Sequence, residues 1–141
     1  MGRVGLAEMI VVDSSALVAI AFDETECGDF DGIIRASARV LISSVTVLET
    51  KMVVHGRKGQ RFTIFVDDYL ASAKFEIVPP GPGDINAAYA AFVAYGKGSG
   101  HPANLNFGDM FSYALAKTRN LPLLFKGDDF CHTDIESALH L

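Results

Sequence analysis

The sequence predicts an α/β fold: a central, mostly parallel sheet of four or five strands, covered by helices on both faces. Three observations predict it. Four short apolar segments, 9–12, 39–43, 75–78 and 122–125, read as strands. The gaps between them are long and carry helical periodicity, as crossovers between parallel strands require. The first segment, MIVV, is apolar throughout, the pattern of a strand buried on both faces.

Taken in order, the strand at 9–12 runs straight into Asp13. Helical patterns over 15–22 and 26–38 fill the first gap, 45–57 and 60–72 the second, and 82–95 and 106–118 the third. The last is the clearest. Phe107, Met110, Phe111, Ala114, Leu115 and Thr118 follow i, i+3, i+4, i+7 spacing and form one stripe. On that spacing Phe107 and Phe111, like Phe130 beyond them, are expected to pack in the core. Residues 79–84 (PPGPGD) form a turn that opens a helix, and 95–106 (YGKGSGHPANLN) form a Gly-rich loop. Neither leaves enough chain on either side for a domain boundary, so 9–141 reads as one domain. Residues 1–8 (MGRVGLAE) lack the apolar core of a signal peptide and read as an N-terminal extension, a tag remnant or an early start.

Half of the 141 residues are apolar and mean hydropathy is +0.27, enough for a full core with some surplus for a partner surface. No apolar run approaches the ~20 residues needed to cross a bilayer. Cys27 and Cys131 form no ligand spacing and read as reduced thiols of a cytoplasmic protein. Net charge is −5, and residues 23–31 (DETECGDFD) carry acids without a base. That excludes simple electrostatic capture of nucleic acid. Basic side chains gather elsewhere, chiefly Arg57, Lys58 and Arg61, then Lys97, His101 and Lys126.

In an open parallel sheet, sites form beyond the carboxyl ends of the strands. Acids fall there from distant segments. Asp13 ends the first strand, Glu49 lies near the start of the helix after the second, Asp109 starts the helix before the fourth, and Asp128 and Asp129 follow the fourth across Gly127. Each position also has a local use. Asp13 suits an N-cap, Thr46-x-x-Glu49 a capping box, Asp109 the third position after an Asn106 cap, and Asp128 and Asp129 a Gly–Asp turn. If the acids share one cleft, they repel one another and their pKa values rise unless a cation neutralises them. An all-oxygen donor set suits Mg²⁺ or Mn²⁺ rather than zinc. The chemistry is then metal-dependent phosphoryl transfer or phosphodiester hydrolysis.

The segment IVVDSSALVAI resembles the opening of PIN domains. SSVTVLET resembles the segment that supplies their second acid. HPANLNFGDMFSYALAK is similar to the third-acid motif of VapC-like toxins of type II toxin–antitoxin modules, and LPLLFKGDDFCHTDI to their closing motif. The likeness runs from about Met9 to Ile135 with all motifs in order. It implies a PIN-like three-layer α/β/α sandwich, usually a homodimer, and Mg²⁺-dependent endoribonuclease cleavage of a structured RNA such as tRNA or rRNA, stopping translation. It also implies a cognate VapB-type antitoxin that neutralises the site and binds operator DNA in complex. Carried over by position, Asp13, Glu49, Asp109 and Asp128 would be the metal ligands and catalytic acids, with the adjacent Asp129 an alternative to Asp128. Ser14 and Ser15 would support them. Arg57, Lys58, Arg61, Lys97 and Lys126 would line the RNA path.

Two other strand-then-Asp families are excluded. A phospho-aspartate phosphatase needs a second Asp two residues on, where this chain has Ser15. A receiver domain needs an Asp ending its third strand, and FEIVPPG has none. A rival of another class is a non-catalytic PIN-fold module acting through its partner; the presence of every acid speaks against it.

Overall fold

A computed structural model describes residues 9–140; the extension at 1–8 lies outside the described residues. The chain runs β1 (Met9–Val12), α1 (Ser14–Ala21), α2 (Cys27–Ala36), β2 (Arg39–Ser43), α3 (Ser44–Lys58), α4 (Gln60–Leu70), β3 (Phe75–Val78), α5 (Pro82–Tyr95), α6 (Phe107–Arg119) and β4 (Leu123–Leu124), with 3-10 turns at Asp129–His132 and Ala138–His140. The sheet has four strands in the order β3-β2-β1-β4, and every pairing is parallel.

Strand alternation builds the layers. Ile10, Val12, Val40, Ile42 and Leu124 face one side, where Leu17, Phe30, Val54, Val66 and Leu70 from α1–α4 meet them. Val11, Leu41, Val78 and Leu123 face the other, against Ala88, Ala91, Met110, Ala114 and Leu115 from α5 and α6. Central β1 and β2 are therefore apolar on both faces, and the three-layer sandwich follows. No described helix is long and apolar enough to cross a membrane.

Helix starts and stops are set locally. α5 begins with Pro82 in its first turn, and its Asp84 carboxylate accepts the Gly81 N–H at 2.9 Å. The turn joining α3 to α4 needs the left-handed region, which Gly59 supplies at φ +84°. α6 ends on Asn120 at φ 55° and ψ 50°, an αL cap. The loop after α5 is closed by a bridge between Gly96 and Leu105. Within it the His101 ring accepts the Ala103 N–H at 3.0 Å and packs edge-on to Tyr95.

Two expectations are corrected. Thr46 and Glu49 do not form a capping box: α3 starts earlier, capped by Ser43, whose hydroxyl accepts the Val45 N–H at 3.2 Å. Thr46 is then fully buried and Glu49 moves into the second turn. Phe107 is not core. As the first residue of α6 it lines the open apolar groove beside α5, is 75% exposed, and packs edge-on to half-buried Phe111. Phe130 is buried as expected.

Candidate active site

The chain passes from β1 outward to β2 and β3, then returns to the opposite flank of β1 with β4. The strand order therefore reverses between β1 and β4, where an open parallel sheet leaves a crevice at its carboxyl edge. Asp13 follows β1 directly and caps α1. Its Oδ2 accepts the Ser15 backbone N–H at 3.0 Å and the Ser15 hydroxyl at 2.7 Å, while Oδ1 accepts the Ser112 hydroxyl at 2.5 Å. Ser15 Oγ accepts the Lys126 N–H at 2.9 Å, which ties the carboxylate to the segment after β4. Ser112 Oγ lies 3.3 Å from Thr46 Oγ1, which ties it to α3. Asp13 is thus fixed from three directions and is 2% exposed.

Asp109 reaches the crevice from the first turn of α6. It is held by a reciprocal capping box: Asn106 Oδ1 accepts the Asp109 N–H at 2.9 Å, and Asp109 Oδ2 accepts the Asn106 N–H at 3.0 Å. Burial, then the charges of Asp13, Asp129 and Glu49, push its carboxyl up to about 7, against the opposing pull of the Asn106 N–H. Glu49 comes from α3. Burial, and after it the charge of Asp13, raise its pKa, and the Ser14 hydroxyl acts the other way. Its Oε1 is buried with no hydrogen-bond partner. Its carboxylate lies against the α-carbon of Gly108.

The three acids line one cleft of about 430 Å³, together with Ser14 and Ser15. Arg57 and Lys126 stand on the same walls. Arg57 also lies 5.6 Å from the Phe22 ring centroid, and Lys126 Nζ is drawn to Glu24 at 2.6 Å and Glu26 at 3.3 Å. The other expected basic residues stand elsewhere. Lys58 lies 6.0 Å from the Phe22 and Phe62 rings, Arg61 is exposed on α4, and Lys97 borders a separate apolar groove of about 600 Å³ between α5 and α6. Asp128 and Asp129 are exposed beyond Gly127, which turns at φ +98°. Neither Asp128 nor Asp129 lines the cleft, whose wall on this side ends at Gly127. Of the adjacent pair, Asp129 is the one whose charge acts on Asp109.

Sequence reasoning missed Ser112, Thr46 and Gly108. Ser112 carried a signal: it sits three residues after Asp109, on the same face of α6, as a hydroxyl beside an apolar stripe. Thr46 and Gly108 carried none, because their partners are distant in sequence.

The donor set fits a hard divalent cation. Among the described residues none of the three acids has an ion-pair partner, and Glu49 presents an orphaned buried oxygen toward its neighbours. No three described His, Cys, Asp or Glu side chains are grouped closely enough to form a cage by themselves. Mg²⁺ needs none: it keeps several waters and commonly takes one or two carboxylates plus substrate phosphate.

Residues 10–136 match the PIN domain family model. The chain is 44% identical over 129 residues to Ribonuclease VapC30 of Mycobacterium tuberculosis, covering 92% of this chain and 98% of that protein. It is 40% identical over 131 residues to Ribonuclease VapC28 of the same organism, with the same coverage. Among solved structures, VapC20 of M. tuberculosis, described as a Sarcin-Ricin loop cleaving toxin, superposes with a TM-score of 0.74 at 18% identity over 89% of this chain and 95% of that one. VapBC2 of Rickettsia felis bound to a promoter DNA fragment superposes with a TM-score of 0.68 at 14% identity over 92% of this chain and 96% of that one. The chain belongs to the PIN-domain family, in its VapC-like branch.

Proposed function

We propose that this chain is a Mg²⁺-dependent endoribonuclease toxin, acting on a structured RNA of the tRNA or rRNA class in the cytoplasm and neutralised by a VapB-type antitoxin. One observation carries the reading: buried Asp13 after β1, buried Asp109 of α6 and half-buried Glu49 of α3 share a cleft at the strand-order reversal, with no ion-pair partner for any of them among the described residues. Asp13, Glu49 and Asp109, with Asp129 or Asp128 at the rim, would hold the ion. What Mg²⁺ supplies at such a site is neutralisation of phosphate charge and acidification of water. Asp13, tied by Ser15 and Ser112, would be a fixed ligand for that ion. Glu49 would complete the ion's site and help position or deprotonate the attacking water. Arg57 and Lys126 offset the chain's negative charge where a polyanion would enter.

Two exposed apolar faces support the expected protein partners, a second copy and the antitoxin. One comprises Leu48, Met52, Ile64 and Phe65 on α3 and α4; the other comprises Ile85, Tyr89, Phe92 and Val93 on α5. Operator DNA would be bound through the antitoxin complex, since the chain itself is acidic.

The test is cleavage of total RNA by purified protein with Mg²⁺, with EDTA, and by the Asp13→Ala and Asp109→Ala variants. Discrete fragments that need the metal and both aspartates support the reading. Cleavage indifferent to both overturns it, and binding of the partner without any cleavage would favour a regulatory module instead.

A further inference from the structure

α5 and α6 start alike. In each, an Asp at the third position accepts the N–H of the cap residue, Asp84 from Gly81 and Asp109 from Asn106, and each has glycine at the second, Gly83 and Gly108. Glycine is a poor choice there: it costs up to ~1 kcal/mol against alanine within a helix. Neither glycine has the positive φ that would demand it. The two differ in what surrounds them. A β-carbon on Gly83 would meet nothing within 4 Å. A β-carbon on Gly108 would stand 2.1 Å from Oε2, 2.4 Å from Cδ and 2.6 Å from Oε1 of Glu49. The space a side chain would occupy is filled by the carboxylate of one acid, next to the residue that bears another.

We propose that Gly108 is a positioning residue: its missing side chain is the recess that admits the Glu49 carboxylate to the first turn of α6 beside Asp109. This rests on the reading of the cleft as a metal-dependent nuclease site. The three atoms nearest to such a Cβ all belong to the far end of one flexible side chain, not to backbone. Substitution by alanine therefore spares the fold and expels the carboxylate. The dipole at the α6 N-terminus also favours an anion in that recess. α3 and α6 are thus joined through an acid and a vacancy, and any side chain at 108 competes with Glu49 for the same volume.

The test is a double-mutant cycle on Gly108→Ala and Glu49→Ala, with Gly83→Ala as the control for glycine at the same helical position. Melting is first measured in EDTA, where metal plays no part. Gly108→Ala should raise the melting temperature in the Glu49→Ala background as Gly83→Ala does in the parent, and raise it less, or lower it, when Glu49 is present. Mg²⁺- or Mn²⁺-dependent shifts in melting and RNA cleavage are then measured on the same proteins. Gly108→Ala should weaken the metal response and cleavage ten- to a hundredfold, the range for residues that orient ligands, and Gly83→Ala should change neither. An additive cycle overturns the proposal, as does a Gly108→Ala variant with the parent's metal response. If the parent itself neither binds metal nor cleaves RNA, the functional reading fails while the metal-free cycle still decides whether residue 108 places Glu49.

Discussion

Asp109→Asn should stabilise the metal-free protein at pH 8, and do so less than half as much at pH 5. Burial and neighbouring acids raise this carboxyl from 3.8 to about 7. A raised folded-state pKa means the native state holds the proton more tightly than the unfolded chain does. Stability is therefore greatest below pH ~4, falls as pH rises toward 7, and is flat above. At ~1.4 kcal/mol per pH unit the full shift corresponds to at most ~4 kcal/mol. Water at the cleft mouth screens part of it, leaving about 2 kcal/mol. For a domain of this size that is roughly 6 °C in melting temperature. Asparagine keeps the oxygen that accepts the Asn106 N–H, so the capping box survives and only the charge is lost. Scanning calorimetry in EDTA at both pH values measures the difference. Equal destabilisation at pH 5 and pH 8 would show that Asp109 serves the helix and is not strained by its neighbours. With Mg²⁺ the order should invert, because the ion stabilises only the protein that binds it.

Ser112→Ala should lower stability by ~1–3 kcal/mol, the cost of leaving a buried acceptor short of a donor, and cleavage should fall with it because Asp13 loses its link to α6. Chemical denaturation and single-turnover cleavage read the two effects separately. Asp129→Asn should weaken Mg²⁺ binding more than Asp128→Asn, since Asp129 is the one whose charge acts on Asp109; calorimetric titration of both variants checks the order. Lys126→Ala should raise KM for RNA and flatten its salt dependence while lowering stability by no more than ~1 kcal/mol, because its ion pairs with Glu24 and Glu26 are partly exposed. Phe92→Glu should reduce the oligomer observed by light scattering if the α5 face seats a second copy.

Most of the architecture was legible because it is local. Apolar runs bounded by turn residues gave β1, β2 and β3 to the residue, and the Asn106–Asp109 cap gave the start of α6. β4 pairs over only Leu123 and Leu124, shorter than the apolar run, because the chain turns at once toward Gly127. The α3 start was misplaced because Ser43 and Ser44 both suit a cap, and Thr46 resembles one from sequence. Within the site, Asp13, Glu49 and Asp109 were legible from their places at strand ends and helix starts. What surrounds them was not. That Ser112 bonds Asp13 across ninety-nine residues, or that Gly108 is empty for the sake of Glu49, depends on how helices stack rather than on any local pattern.

The ties on Asp13 also set an order in time. The carboxylate lies near the start of the chain, but Ser112 and the Lys126 N–H that hold it in place are made ninety-nine and more residues later. Domains fold as their sequence emerges, and long-range parallel pairing comes late. A nascent chain carries the first acid through ninety-nine further residues of synthesis before the first of the distant partners that fix it is made. Ribosomes that would make a weapon against RNA are thereby working on an unassembled one until β4 docks beside β1.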